Sequence, residues 1–482
     1  MSPAEKRYFK RHYGSSANVL TDLFDAINAQ EKYDEASIKE LFPPKVAINL
    51  KVYKFQLEQQ VLQSLISSGY FTTVGSKIRL GLEQADILAE RNLVNMAIKQ
   101  LEKTKQLCLK YEEFPYLLEI IAKEFRLKYV QVRKSITIPE PSFDEHRTYL
   151  TILEELNKLT DLAKEVGAIA EKWPAVCKNH LKKARAYLDH PLLNKTYPDA
   201  PIRSGFVKSQ IYGNIRLIEG DIKSARKHFE EGVNLFAGNK ALSQHFSTYY
   251  LLALRRCISL AIHLREIPCA EKRLKEINQF LRKKKQHQPY QLFTIKSELQ
   301  MTILTAGKYM EQQKLERKLS QLIRNYNLPN KTDIAELYML LAMICVVKHQ
   351  FNEAMDYLQI TATQDREIWH YFQDIASVIE LLIYYEQDEQ QHARRKLAEL
   401  HQQQGNSSPQ QSSTLLKSIL QLFTTLLTQP EDAKNLAANL LLKLNEQPDD
   451  RLTLQCHTIC FPAWLQSVAA GRPYHTVLAE AR

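Results

Sequence analysis

Apolar residues recur with the spacing of α-helices along almost the whole chain. In the first clear case one apolar stripe runs from Leu20 to Ile27 at positions i, i+3, i+4 and i+7. The same spacing predicts longer helices over 46–67 and 84–111. Alternation with a period of two is confined to short pieces near 130–138. The pattern therefore predicts an all-α fold.

Interruptions rich in proline or in small polar residues divide this helical pattern. They lie at 135–142, 190–201 and 402–413. In such stretches proline removes a backbone donor, or a polar low-complexity sequence offers no apolar face. We therefore expect four parts: a helical N-terminal head at 1–72, degenerate helical hairpins at 73–200, a repeat array at 201–445 and C-terminal capping helices at 446–482.

The segment 212–232 carries the clearest sign of a repeat. It has a small residue at Gly213, a turn at Gly220-Asp221, and Ala225 followed four residues later by Phe229. This order resembles the tetratricopeptide repeat, in which two antiparallel helices approach closely where small residues face an aromatic ring. The segment departs from the family pattern at two positions, Ser209 and Arg216, where the family has tryptophan and tyrosine.

Weaker copies of the alanine and its partner follow. They are Ala270 with Leu274, Ala354 with Leu358, and Ala393 with Leu397, so that the alanines follow Ala225 in steps of 45, 84 and 39 residues. The period is thus about 40 residues, longer than the roughly 34 of the tetratricopeptide repeat. The resemblance implies a right-handed α-solenoid of antiparallel helix pairs. An irregular helical bundle is the alternative.

The first 70 residues or so do not repeat. Their order of helices resembles the head of a group of uncharacterised bacterial tetratricopeptide-like proteins, a resemblance that implies no activity. A solenoid needs a non-repeating end, because its terminal unit must cover an open apolar face. We therefore expect a non-repeating helical N-terminal head on the repeat array.

The composition and the motifs argue against an enzyme. Only 13 of 482 residues are glycine, and the sequence has no nucleophile elbow, no phosphate-binding glycine loop and no His-Glu-x-x-His zinc motif. The best group of ligand-type residues is Cys456, His457 and Cys460, but zinc would need further ligands and none has suitable spacing. We expect buried cysteines there, and no catalytic residue, metal or cofactor.

Cysteine usage and hydropathy predict a cytoplasmic protein. The seven cysteines are scattered and odd in number, unlike the disulfide framework of a small secreted domain. No apolar run follows the first charged residues, and the longest apolar stretch, Leu337–Val347, is about half of a membrane span.

Positive charge is concentrated in the central third. Between residues 172 and 300 there are 24 Lys and Arg against 10 Asp and Glu, whereas the whole chain has a net charge of +11. Such a field favours an acidic protein or peptide, or a nucleic acid. The alternative, a basic surface without a specific partner, is favoured over either of these. Nucleic acid is the least favoured partner, because no recognition motif for it is present.

The candidate site follows from the resemblance, which implies that the first helix of each repeat lines a concave groove. The groove positions of the first two clear repeats are Gln210, Asn214, Arg255, Ser259 and His263, and a basic patch follows at Arg282, Lys283, Lys284 and Lys285. Later repeats place apolar residues there, namely Met339, Met343, Val346, Val378 and Leu382. These apolar residues could bind a peptide or could belong to the core.

Two functions are compatible with these features. The first is a non-catalytic scaffold that binds a protein or peptide segment in a groove with a basic central section. The second is a cytoplasmic regulator that senses a ligand or peptide, with a head that contacts nucleic acid or a signalling partner through Lys6, Arg7, Lys10 and Arg11. The oligomeric state does not follow from the sequence.

Overall fold

Helices account for all of the regular secondary structure in the described residues. The computed structural model describes residues 1, 3–13, 19–30, 33–67, 73–132, 143–170, 178–195, 201–282, 288–325, 331–362, 366–405, 414–446 and 451–480. No strand occurs in these ranges, which confirms the predicted all-α class. The interruption predicted at 135–142 lies outside the described residues.

The chain divides into two compact units, Met1–Leu153 and Glu154–Arg482. The division falls inside one long helix. The predicted four-part organisation is finer than this division and stays a prediction.

The first unit contains eight helices among the described residues, and a ninth crosses its boundary. They are α1 (Pro3–Tyr13), α2 (Val19–Ala29), α3 (Glu35–Glu40), α4 (Pro44–Ile48), α5 (Leu50–Ser67), α6 (Val74–Glu90), α7 (Val94–Tyr111), α8 (Phe114–Val132) and α9 (Asp144–Ala170). The first helices pack around a small core that includes Phe9, Leu23, Ile38 and Leu50.

Two helices predicted in this unit are each divided by an asparagine. The helix expected over 46–67 is interrupted at Asn49, whose side-chain amide donates to the carbonyl of Lys45 at 3.0 Å and so competes with the helical ladder. The prediction of a single helix over 84–111 is wrong, because a second asparagine ends the helix there. Asn92 has a left-handed backbone with φ of 62°, which asparagine tolerates better than most residues, and it separates α6 from α7.

The second unit continues the helical pattern to the end of the described chain. Its helices are α10 (Lys178–Ala186), α11 (Pro191–Asn194), α12 (Ile202–Ile218), α13 (Ile222–Ala237), α14 (Lys240–His245), α15 (Ser247–His263), α16 (Ile267–Leu281), α17 (Gln288–Leu304), α18 (Gln312–Asn325), α19 (Lys331–Val347), α20 (Phe351–Ala362), α21 (Arg366–Glu386), α22 (Gln390–Gly405), α23 (Thr414–Thr428), α24 (Pro430–Glu446), α25 (Arg451–Thr458), α26 (Phe461–Ala470) and α27 (Tyr474–Glu480). The interruption expected from residue 402 starts later, since α22 continues to Gly405.

Helices α12 and α13 pack as the sequence predicts. Asp221 caps α13 by accepting a hydrogen bond from the amide of Ser224 at 3.0 Å. Ala225 and Phe229 are fully buried, and a Cβ atom on Gly213 would lie only 2.8 Å from the ring of Phe229. The small residue and the aromatic ring therefore set the distance between the two helices.

The same residue types are buried in the later helix pairs. Ala270 and Leu274 on α16, Ala354 and Leu358 on α20, and Ala393 and Leu397 on α22 are all buried. One core of buried residues extends from α12 to α27. Among the described residues, no helix combines the length and the hydropathy needed to cross a membrane.

The C-terminal segment, which we define as α25, α26 and α27, packs against helices far earlier in the sequence. Trp464 on α26 is fully buried and stacks on Phe423 of α23, with ring centroids 5.1 Å apart. Its indole Nε1 donates to Glu386 at the end of α21 at 2.9 Å. These contacts make the segment part of the core of the second unit.

Candidate partner-binding face

Helix α15 presents one open row of side chains. Nine of its residues are buried, and they occupy every face of the helix except one. The remaining row is exposed and consists of Thr248, Leu252, Arg255, Ser259 and His263. Steps of three and four residues keep this row on one face of the helix. Three of the predicted site residues are therefore side by side.

The cation in this row lies over an aromatic ring of the next long helix. The guanidinium of Arg255 is 5.5 Å from the ring centroid of Phe293 on α17, within the range of a cation–π interaction. Tyr290, one turn earlier on α17, has a raised pKa because burial disfavours the phenolate, and Arg255 partly offsets this effect. The pair of Lys296 and Glu336, at 2.7 Å, joins α17 to α19 nearby.

His263 ends the row where it meets the C-terminal segment. Its ring centroid is 6.0 Å from that of His457 on α25. The residue keeps part of its surface in solvent, yet desolvation by the surrounding atoms, followed by nearby His457 and Arg265, lowers its pKa from 6.5 to about 4. The imidazole is therefore neutral at pH 7, where it can donate one hydrogen bond and accept another.

The other two predicted groove residues are in the interior. No described residue of α12 is exposed, because α13 and other helices surround it. Asn214 is 3% exposed and accepts a hydrogen bond from Arg256 of α15. Gln210 is 9% exposed and lies beside Gly232 of α13. The structure thus separates Gln210 and Asn214 from the exposed row of α15.

The apolar groove positions of the later repeats belong to the core. Met339, Met343, Val346, Val378 and Leu382 are all buried. The C-terminal segment lies close to the same helices. Gln300 of α17 donates to the carbonyl of Thr458, and Gln455 donates to the carbonyl of Tyr371 in α21, each at 3.0 Å. Of the two interpretations of these apolar residues, burial in the core is the one that the structure supports.

The predicted basic patch is described only at its first residue. Arg282 is exposed and forms the C-terminal cap of α16, where the helix dipole favours a cation. Lys283, Lys284 and Lys285 lie outside the described residues. The predicted binding role of this patch stays a prediction.

Part of the central positive charge is used in packing. Ion pairs join basic side chains to carboxylates of neighbouring helices or turns, namely Arg185 with Glu219 at 2.9 Å, Arg226 with Glu266 at 2.7 Å, Lys195 with Glu155 at 2.6 Å, and Arg273 with Glu230. Their charge is partly neutralised. Arg255 differs, because no carboxylate of the described residues pairs with it.

Two of the cations in the head are also bound by neighbouring side chains. Lys10 pairs with Asp25 of α2 at 2.6 Å, and Lys6 donates to Asn28 of the same helix. Arg7 donates to the carbonyl of Pro3 at 3.3 Å. These contacts direct part of the basic face of α1 towards its own unit.

The Cys456, His457 and Cys460 cluster is interior to the second unit. Both cysteines are buried, and burial raises the pKa of the Cys460 thiol to about 12. This thiol therefore stays protonated at neutral pH, whereas nucleophilic and metal-binding cysteines are thiolates. Within the part of the chain that the structure describes, no group of three or more His, Cys, Asp or Glu side chains could hold a metal ion.

No protein-family model matches this chain, and a search of curated proteins found no match either.

Proposed function

We propose that this chain is a non-catalytic partner-binding protein with the plan of a right-handed, tetratricopeptide-like α-solenoid. It binds an acidic protein or peptide segment along α15. The observation that carries the proposal is the open row on α15, in which Arg255, Ser259 and His263 stand in line while α12 is enclosed.

Recurring turns support the repeated plan. A left-handed residue occurs at Gly220, Arg265, Ala306, His349 and Asp388, in steps of 39 to 45 residues. In each turn the amide of the next residue donates to the carbonyl five residues earlier, at 2.8 to 2.9 Å. This bond is the mark of a Schellman motif, which ends one helix and allows the chain to reverse into the next. Such turns support the proposed antiparallel pairs with a period of about 40 residues.

The row has the chemistry to bind an acidic segment that also has apolar residues. Arg255 supplies a charge with up to five donors, and Ser259 supplies a hydroxyl. Leu252 is 37% exposed and the neighbouring Tyr249 is 43% exposed, so apolar surface adjoins the cation. A carboxylate of the partner would pair with Arg255 while an apolar residue packs on Leu252 and Tyr249. No bond is made or broken in this mechanism.

The proposal is tested with a fluorescent peptide of six glutamates followed by alternating leucine and serine. Binding to the full chain should weaken about tenfold or more with Arg255→Glu, because the cation becomes a like charge facing the glutamates. Fluorescence anisotropy at low salt measures the affinity.

The matched control is Lys227→Glu. Lys227 is exposed on α13, so this variant makes the same change in net charge away from the row, and we expect less than about a twofold effect. Equal weakening by both variants would show that net charge alone attracts the peptide. No binding by the unaltered chain would reject the acidic partner.

A further inference from the structure

Helix α5 of the first unit exposes a second and quite different face. Four large apolar side chains of α5, and a fifth at the last residue of α4, are open to solvent. They are Ile48 at 82%, Val52 at 53%, Phe55 at 62%, Leu62 at 47% and Ile66 at 54% exposure. Contiguous apolar surface of this kind is uncommon on a protein that acts as a single chain. The row therefore requires a physical explanation.

The spacing of this row is that of a coiled-coil seam. With the exposed Gln59 included, the positions on α5 advance by 3, 4, 3 and 4 residues from Val52 to Ile66, and Ile48 lies four residues before Val52, across the interruption at Asn49. Such a 4-3 alternation is the a/d pattern of a heptad repeat. The opposite positions of the same heptads, Leu50, Leu57 and Ser64, are buried against the rest of the head. One side of α5 thus builds the head, and the other side has the pattern of a helix that pairs with another helix.

We propose that this row is the interface through which two copies of the chain pair, with α5 packed against α5. At roughly 100 Å² for each half-exposed side chain, the five residues offer about 500 Å² per copy. Pairing covers about 1,000 Å² in total, which is at the lower limit for a specific interface.

We favour a second copy of the chain as the partner, because the apolar row of one α5 matches the same row of another α5. Among the described residues, no other helix exposes an apolar row of this length and spacing. One flank of the seam has the uncharged Asn49, Gln56 and Gln63, and the other has Lys51 and Glu58. In a parallel pair these two charges face Gln56 and Gln63 of the other copy, so like charges do not meet. A peptide partner from another protein would need the same 4-3 pattern, which this chain itself supplies.

The two helices run parallel and in register. In this arrangement Gln59 of one copy faces Gln59 of the other, and the two amides hydrogen-bond in an otherwise apolar seam, as polar residues at a positions do. An antiparallel arrangement that keeps the apolar layers matched would bring the two Glu58 carboxylates together at its centre. Like charges at that point disfavour it.

The mass of the full chain in solution tests the interface. Light scattering should give twice the chain mass of 55.9 kDa at about 10 µM protein, the expected result for a dimer with a dissociation constant of about 1 µM or below. Phe55→Glu should give the monomer mass, because each copy would place a charge in the seam. Met96→Glu is the matched control, since Met96 is 55% exposed on α7 outside the row, and it should leave the dimer intact.

Two results would overturn the interface. One is a wild-type chain that stays monomeric at about 100 µM, tenfold above the concentration of the first measurement. The other is a Phe55→Glu chain that is dimeric to the same extent as the wild type. Circular dichroism of both variants should equal that of the wild type, because the altered side chains are exposed.

Disulfide cross-linking tests the parallel register. Leu62→Cys places two thiols opposite each other only if the helices are parallel, so mild oxidation should yield a covalent dimer that a reductant dissolves. Wild type and Met96→Cys serve as controls and should give little of it. Equal cross-linking of Met96→Cys, or none of Leu62→Cys, would overturn this arrangement. Gln59→Leu should tighten the dimer about tenfold, because the polar layer is removed.

Discussion

Gly213 shows how a single residue sets the distance between two helices. A Cβ atom there would lie 2.8 Å from the ring atoms of Phe229, which is fully buried and has little room to move. The φ of Gly213 is not in the left-handed region, so its backbone conformation does not require glycine. Glycine is required here because the two helices approach closely. The sequence predicts this contact because both residues lie in one short helix pair.

We expect Gly213→Ala to lower the free energy of unfolding by about 1–3 kcal/mol, as overpacking of a close contact does. Urea unfolding followed by circular dichroism measures the loss. Gly238→Ala is the control, because its Cβ would be 3.7 Å from the nearest atom and its φ of −66° is helical. It should change stability by less than about 0.5 kcal/mol. If the two variants lose equally little free energy of unfolding, the ring of Phe229 can move to accommodate the added Cβ atom.

Asn214 marks the limit of prediction at the residue scale. Its register on α12 follows from the pattern around Gly213, but its burial does not, because its partner Arg256 stands 42 residues later in the chain. Arg265 is similar. It adopts a left-handed backbone with φ of 59°, although the sequence offers no glycine there to signal a turn.

At the scale of elements, the C-terminal segment decides which helix faces are covered. The side chain of Arg265, in the turn after α15, donates to Gln466 of α26, which stands 201 residues later. Burial raises the pKa of Glu386 at the end of α21, and the indole of Trp464 partly offsets this effect by donating to it. The segment therefore depends on polar contacts as well as on its aromatic core.

The contact of α15 with the C-terminal segment makes stability depend on pH. The pKa of His263 is about 4 in the folded protein against an ordinary 6.5, so between these values the unfolded chain binds more protons than the folded one. Its contribution to stability is present above pH 6.5 and is lost as the pH falls towards 4. His457, also with a pKa lowered by burial, adds a loss in the same direction.

We therefore expect the urea midpoint to fall between pH 7 and pH 5, and His263→Gln to lose less over the same interval. Glutamine keeps a donor and an acceptor but does not titrate, and both proteins share the effects of all other groups. The same loss in the variant and in the wild type would show that His263 does not titrate differently on folding.

At the scale of the whole molecule, the charge distribution has two separate roles. Of the central basic residues, Arg226 and Arg273 pair with carboxylates of neighbouring helices or turns. Others, such as Arg255 and Arg282, are exposed and contribute to the field around the protein. Only the second group can attract an acidic partner over a distance.

Reversing Arg282, Lys283, Lys284 and Lys285 to glutamate should weaken binding of the glutamate-rich peptide at low salt and leave the helical circular dichroism unchanged. The physical reason is the loss of attraction by a local basic run, so the difference from the wild type should shrink as salt is added. An unaltered affinity at low salt would exclude a role for this run in binding the peptide.

The sequence alone determined the features that depend on neighbours along the chain. The all-α class, the packing of Ala225 and Phe229, and the alignment of Arg255 with Ser259 and His263 on one face all follow from spacing within one helix or one helix pair. The 4-3 spacing from Val52 to Ile66 is equally visible in the sequence, but the exposure of these side chains is not.

Only the tertiary structure decided which faces are covered. Periodicity identifies an apolar or polar face, but it does not say which distant element packs on that face, since such contacts join residues far apart in the chain. The row on α15 is therefore open while Gln210 and Asn214 are enclosed, and the apolar residues of α19 and α21 belong to a core that includes the C-terminal segment. The seam of α5 is likewise identified only by the tertiary structure, in which no described residue covers it.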